Sequence, residues 1–550
     1  MQQGYFDWLN EESLTMLERG YLLEGETVED AVHRVVSSAC KYLNKPEMYD
    51  EFYEMIAKGW VALSSPIWSN MGTERGLPIA CFGSYVGDSM HRILETFAEV
   101  GMMTKVGGGT SAYWGDLRPR GAEIKHNGTS NGPVAFMKMF DTEMKIVSQG
   151  STRRGSFAAY LPIDHPDVHE FLEIRDIGND IQQISFGVTV KDAWMEEMIG
   201  GDTEKRKIWA KVLKSRKEKG YPYIMFEDTA NKNTVDVYKD KGLKINQSNL
   251  CTEIMLPNNN EESFVCCLTG MNLAKFDEWK DKGAVRLVTF FLDAVISEFI
   301  EKAKDVPFLY RAVKFAERHR ALGIGTLGWH SYLQQKMVPF DNMLATSHTR
   351  IVYKHIKEEA YKASAELSEI YGEPDELKGY GRRNTTLMAV APNTSSSSIL
   401  GQVSPGIEPF NSNYFTVGLA KGNFTRKNKE LEKLLDEKGQ NTDEVWVSIM
   451  RNEGSVQHLD FLTQDEKDVF KTFKEINQYE LIRQAAIRQE YIDQGQSLNI
   501  NIPPETLPKD INRLYIEAWK LGVKALYYQR SQSVSTRFMT LDPECLACDG

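Results

Sequence analysis

The chain has 550 residues, a formal net charge of −12, and 41% hydrophobic and 26% charged residues, which is ordinary globular composition with enough chain for one large barrel or two to three domains. The acidic balance argues against a non-specific nucleic-acid binder, which is usually basic. No apolar run approaches the roughly 20 residues of a membrane span, and residues 1–10 lack the pattern of a signal peptide, so a cytoplasmic enzyme or binding protein with no nucleic acid and no membrane partner is expected.

Residues from about 5 to 60 read as helices. Thr27-Val28-Glu29-Asp30 is a capping box, with Asp for the usual Glu, that opens a helix through Ala31, Val35 and Val36. Cys40 falls in this region and reads as a core residue. Residues 63–73 read as a strand-like piece closing in turn residues. Ile79 to Val86 is a short apolar strand carrying Cys81, and Asp88-Ser89 caps a helix to Lys105. Gly107-Gly108-Gly109 is either a helix C-cap or a close approach to phosphate. Residues 114–156 are rich in glycine and arginine, including Arg118, Arg120, Arg153 and Arg154. Arginines on such loops suit phosphate recognition, or make a solvated surface loop.

Strands and amphipathic helices alternate from about 60 to 410, which gives an α/β architecture. The run Asn393-Thr394-Ser395-Ser396-Ser397-Ser398 follows an apolar strand, 386–391, and precedes Ile399-Leu400. Serine hydroxyls and N–H groups placed there offer a cradle for an anion. Beyond Asn423 the chain is charged and helical to about Gln494. Then come a strand over 497–502, a helix over 508–523, a strand from Val523 to Arg530, and a tail without periodicity from about 537.

Seven cysteines, Cys40, Cys81, Cys251, Cys266, Cys267, Cys545 and Cys548, are no disulfide scaffold in a chain of this length. In a reducing compartment such spacing suggests metal or redox chemistry. Cys545 and Cys548 alone supply two of zinc's four usual ligands, and no His or second Cys pair completes the set. The segment 247–257 places Asn249, Cys251 and Glu253 at alternate positions. In an extended segment all three would face one space, giving a thiol flanked by an amide and an acid. The bland alternative is a polar edge strand with one buried cysteine.

Together these stretches resemble the large catalytic (alpha) subunit of class I ribonucleotide reductase. The carriers are Asn249-Leu250-Cys251-Thr252-Glu253, Val265 to Leu273, Arg320 to Gly325, Pro392 to Ser396, the Tyr527-Tyr528 doublet and the Cys545/Cys548 pair, in order across about residues 10–550. The resemblance implies a ten-stranded α/β barrel of two five-stranded halves with a central finger loop, over 61–423. A helical domain precedes it (1–60). A small C-terminal α/β domain carrying the tyrosine pair (424–536) and a redox tail (537–550) follow. The resemblance implies a compact form, expected to start directly in the helical domain without the N-terminal unit that senses ATP against dATP.

The resemblance also assigns roles. Cys251 carries the thiyl radical, Glu253 is the general base for the 3′-hydroxyl, and Asn249 holds the hydroxyls. Cys81 and Cys266 form the dithiol that supplies two electrons, with adjacent Cys267 the other claimant. Tyr528 and Tyr527 relay the radical. Cys545 and Cys548 re-reduce the active-site disulfide and exchange with thioredoxin or glutaredoxin. Ser64, Ser65, Asn393, Thr394, Ser395 and Ser396 bind the ribonucleoside diphosphate. Asp88, Arg118, Gln149, Arg153 and Arg154 bind a dNTP or ATP specificity effector at a homodimer interface. No cofactor or metal is expected in this chain, because the radical cofactor belongs to a separate beta subunit. An adenosylcobalamin enzyme would not need the tyrosine pair, a glycyl-radical enzyme would carry a glycine motif in place of the C-terminal dithiol, and a nucleotide-binding regulator would need none of the redox residues.

Overall fold

The structure is a computed structural model that describes residues 4–149, 153–419 and 422–531. Three helices open it: Glu11–Glu18, Val28–Leu43 and Tyr49–Ala57. The Thr27/Asp30 capping box forms with both reciprocal bonds, satisfying two orphan N–H groups at the helix start. The apolar stripe Ala31, Val32, Val35, Val36 and Ala39 is buried and packs towards the long helix Ala284–Ala303.

Five parallel strands form the first half of a barrel: Cys81–Tyr85, Gly109–Tyr113, Phe157–Pro162, Ser185–Val190 and Tyr223–Phe226. Phe157–Pro162 and Ser185–Val190 are buried at every position, as parallel strands covered on both faces must be. The second half begins with Phe264–Asn272, which is parallel to Leu322–Leu327. The ring continues through bridges at Ile324–Met388 and Val390–Gln496 and through Ile500–Asn501 beside Gln529–Arg530. The two halves run antiparallel to each other and meet at two seams. Cys81–Tyr85 pairs Phe264–Asn272 at one, and Ala525–Leu526 pairs Tyr223–Phe226 at the other. These seams make a ten-position barrel of two five-stranded halves.

The described residues 424–531 divide in two. The helices Lys429–Glu437, Asp443–Arg451 and Gln464–Val469 carry residues of a small core of their own, including Leu431, Trp446 and Val469. The later strands, Ile500–Asn501, Ala525–Leu526 and Gln529–Arg530, join the barrel, whereas Gly422–Lys427 pairs with Tyr414–Leu419 in a separate hairpin. Among the described residues no helix is long and apolar enough to cross a membrane.

Three local expectations change. The strand-like piece over 63–73 is a short strand, Val61–Leu63, followed by the helix Ser65–Asn70, with Ser64 as N-cap and Pro66 in its first turn, a position proline favours. The serine run is itself the helix Thr394–Ile399, entered through Asn393 at φ +55°. The strand from Val523 to Arg530 is two short pieces, Ala525–Leu526 and Gln529–Arg530. They pair with different neighbours, and the tyrosine doublet spans the gap.

Candidate active site

The loop 247–257 lies inside the barrel and is held from both halves. Gln247 donates to the Ser84 carbonyl at 2.9 Å, and the Tyr160 hydroxyl donates to the Asn249 carbonyl at 2.7 Å. From the second half, Gly495 N–H donates to the Glu253 carbonyl at 2.8 Å, and Met255 N–H donates to Gln494 Oε1 at 3.0 Å. The loop passes close to Gly495. A Cβ there would lie 2.9 Å from Met255 Cε and 3.0 Å from the Thr252 carbonyl oxygen.

The segment is not extended. Thr252 sits at φ +69°, and its N–H reaches back to the Asn249 carbonyl at 3.4 Å. The chain therefore turns at Cys251, and simple alternation does not set the side-chain directions. The turn nevertheless brings Asn249 and Glu253 together, with Asn249 Nδ2 donating to Glu253 Oε1 at 2.9 Å. Asn249 Oδ1 accepts from the Ile254 N–H at 3.0 Å, which fixes the carboxamide. Ser497 Oγ lies 2.5 Å from the Cys251 carbonyl oxygen and 3.0 Å from Glu253 Oε2, so its single hydrogen is shared between them. Asn249, Cys251 and Glu253 are all buried. Burial pushes the Glu253 carboxyl up to about 7, against the pull of the Asn249 and Ser497 hydrogen bonds.

Cys81 stands opposite Cys266 in the antiparallel seam. Both are thiols in this structure. Asn249 Nδ2 lies 3.9 Å from Cys81 Sγ, so the seam borders the loop. Gln494 Nε2 donates to Cys266 Sγ at 3.4 Å, while burial raises the Cys266 thiol well above its ordinary range. Cys267, one residue on, points to the opposite face of the strand, so Cys266 is the one brought to Cys81. Cys40 is buried in the helical core, as expected.

Tyr527 and Tyr528 have ring centroids 4.2 Å apart. Tyr527 is buried and Tyr528 half-buried. Both are held by backbone bonds to the second half: Tyr527 N–H donates to the Leu498 carbonyl, and the Tyr528 carbonyl accepts from Ile500 N–H.

Two of the expected phosphate-binding segments converge on Gly270. Ala62, just before Ser64 and Ser65, is its register partner. Asn393 Nδ2 would lie 3.3 Å from a Cβ placed on it. Asn393 donates to the Thr326 and Ala391 carbonyls, at 3.1 and 3.2 Å. Ser395 and Ser396 are buried, and Thr394 is half-buried.

The expected effector residues fall into two contact groups. Asp88 and Arg118 form a salt bridge at 2.9 Å. Gln149 is buried, donates to Asn70 Oδ1 at 3.1 Å, and is the antiparallel register partner of Arg153, with Ser148 paired to Arg154. Cys545 and Cys548 lie outside the described residues. Among the described residues no group of His, Cys, Asp and Glu could hold a metal ion.

Sequence reasoning did not single out Tyr160, Gln494, Ser497, Tyr221 or Tyr223. Nothing local marks them.

The barrel-domain model of ribonucleotide reductase matches residues 79–205, 197–376 and 374–529, and the all-alpha-domain model matches residues 7–76. The Actinobacillus ureae class Id ribonucleotide reductase alpha subunit superposes with a TM-score of 0.92, at 55% identity over 96% of this chain and 98% of that one. A Frog virus 3 (isolate Goorha) relative is 37% identical over 92% of this chain and 93% of its own length. The ribonucleoside-diphosphate reductase large subunit of Invertebrate iridescent virus 3 is 34% identical over 90% and 91%. With its barrel, its helical domain and these matches, the chain belongs to the ribonucleotide reductase family, as a large subunit.

Proposed function

We propose that the chain reduces ribonucleoside diphosphates to 2′-deoxyribonucleotides by thiyl-radical chemistry at Cys251. The observation that supports this most directly is the Asn249–Glu253 hydrogen bond on the loop that carries Cys251, beside the Cys81–Cys266 seam. The Cys251 thiyl takes the 3′ hydrogen of the ribose, an exchange between S–H and C–H bonds of comparable strength. Glu253 accepts the 3′-hydroxyl proton. A carboxyl with its pKa raised to about 7 is suited to give and take a proton near neutral pH. Asn249 positions the hydroxyls.

The 2′-hydroxyl leaves as water. Cys81 and Cys266 supply two electrons and two protons and end as a disulfide, and the 3′ hydrogen returns from Cys251, regenerating its thiyl. In sum, one C–O bond and two S–H bonds are exchanged for one C–H bond, one S–S bond and water. Between turnovers the disulfide would be reduced by Cys545 and Cys548, which draw on thioredoxin or glutaredoxin.

A large subunit of this family works with a small subunit. We assign to that subunit the radical cofactor, dimetal or tyrosyl, with Tyr528 and then Tyr527 as the way to Cys251. Ser64, Ser65 and Asn393 to Ser396 would hold the substrate diphosphate. Asp88, Arg118, Gln149, Arg153 and Arg154 would hold a dNTP or ATP effector at a homodimer interface. The setting is the cytoplasm.

The test is Cys251→Ser, assayed with purified small subunit for conversion of CDP. Loss of deoxynucleotide formation with nucleotide affinity retained is expected. Residual reduction by the variant would remove Cys251 from the radical role.

A further inference from the structure

Four tyrosine rings, not two, meet beside the second seam of the barrel. Tyr221 and Tyr223 lie at the entrance of the strand Tyr223–Phe226, which pairs with Ala525–Leu526 just ahead of Tyr527 and Tyr528. Tyr223 lies 4.8 Å from Tyr527 and 5.1 Å from Tyr528, centroid to centroid, and Tyr221 lies 5.1 Å from Tyr528. The hydroxyl of Tyr221 is 2.9 Å from that of Tyr528 and 3.2 Å from Ser185 Oγ. Tyr221 is buried. The Arg175 guanidinium lies 4.7 Å above its ring.

A tyrosine is oxidised at neutral pH only if its proton leaves with the electron, so what its hydroxyl touches decides where a radical can go. The hydroxyl contact between Tyr221 and Tyr528 is a path for both particles at once. We propose that Tyr221 is a third redox tyrosine, which exchanges a hydrogen atom with Tyr528 along their shared hydrogen bond. The proposal rests on the reading of Tyr528 and Tyr527 as the radical relay.

In the step, Tyr528 starts as a neutral phenoxyl radical and Tyr221 as a phenol. The Tyr221 O–H bond breaks, and its proton and one electron pass to the Tyr528 oxygen, where an O–H bond forms. The unpaired electron is left on Tyr221. No net charge moves and no further oxidant or reductant is consumed. Ser185 Oγ can donate to the Tyr221 oxygen before and after the transfer, so that oxygen keeps a hydrogen-bond donor throughout despite burial. The Arg175 cation over the Tyr221 ring makes electron removal harder there than at Tyr528. Tyr221 is therefore a side station that returns the radical to the path.

The experiment uses the full chain with the small subunit that sustains turnover of the unmodified protein, and with CDP and ATP. Tyr221→3-aminotyrosine introduces a phenol that is easier to oxidise and traps the radical. An aminotyrosyl signal in electron paramagnetic resonance is expected to grow as the small subunit's radical signal falls. Tyr528→3-aminotyrosine is run beside it, because the relay alone predicts trapping there. Trapping at 528 without trapping at 221 overturns the inference and leaves the relay standing. Trapping at neither position overturns the relay and the inference with it. A second measurement makes a smaller change at residue 221, removing only its hydroxyl. In the 528-aminotyrosine chain, Tyr221→Phe is expected to remove one exchangeable-proton hyperfine coupling seen on comparing H2O with D2O, and an unchanged coupling overturns the proposal.

Discussion

Cys81 and Cys266 are direct register partners across an antiparallel seam that joins the two halves of the barrel. Residues so paired have Cα atoms about 4.5–5.5 Å apart, which lies within the roughly 4.4–6.8 Å that a disulfide spans. No strand shift is needed to join them. In a single turnover without external reductant, in a chain carrying Cys545→Ser and Cys548→Ser so that the tail cannot take up the disulfide, a Cys81–Cys266 disulfide is expected to form, one per deoxynucleotide made. Mass spectrometry of peptides from protein quenched after one turnover checks this. Linkage through Cys267 would contradict the register.

Glu253 gives the pH dependence a sign. Its carboxyl is raised to about 7 chiefly by burial. As the base it acts in the ionised form, so the fraction ready to accept a proton rises with pH through about 7. The reduction rate should climb across that range, provided the chemical step limits turnover. Glu253→Gln removes the base and should lower kcat by about 10²–10⁴-fold, the usual share of general acid–base catalysis, and flatten this limb. A wild-type profile that is level from pH 6 to 8 would argue against Glu253 as the base.

Ser497 bridges the Cys251 carbonyl and the Glu253 carboxylate. Its hydroxyl is one of the groups that hold the Glu253 pKa down. Ser497→Ala therefore leaves the carboxyl more basic, and the rising limb of the pH–rate profile should move to higher pH. Loss of a hydrogen bond to a charged group costs about 1.5–3 kcal/mol, so a fall in turnover of about tenfold or more at neutral pH is expected. Ser497→Thr, which keeps the hydroxyl, should restore much of it. An unmoved profile would reduce Ser497 to a packing role.

The sequence showed the α/β alternation and the Thr27 capping box, because each is written in local pattern. The barrel itself was legible only through family resemblance, since the strand pairings at its two seams are long-range. The Asn249–Cys251–Glu253 motif was found by a route the structure corrects. Period-2 alternation assumed an extended chain, whereas the positive φ of Thr252 makes a turn, and the Asn249–Glu253 contact spans that turn. Ser497 and Gln494 were invisible because their value comes from a loop about 240 residues earlier that packs against them. The serine run misled in another way. Serine competes for turns and caps, yet here tertiary packing buries Ser395 to Ser398 in a short helix.

The scaffold beneath the thiol seam should depend on one buried ion pair. Arg311 Nη2 contacts Glu99 Oε2, and neither side chain is exposed. The same Glu99 oxygen accepts from Ser84 Oγ at 2.8 Å and Ser263 Oγ at 3.0 Å. Ser84 lies in the strand that carries Cys81, and Ser263 immediately precedes the strand that carries Cys266. The pair thus ties the helices Met90–Lys105 and Tyr310–His319 to both sides of the seam. Arg311→Met keeps most of the volume but strands a buried carboxylate, which costs about 3–5 kcal/mol. Replacing both partners removes the uncompensated charge, so Arg311→Met with Glu99→Gln should recover much of the loss. Urea midpoints of the two variants and the parent measure the difference. If the single and double variants unfold at the same urea concentration, the charge is not what holds this junction.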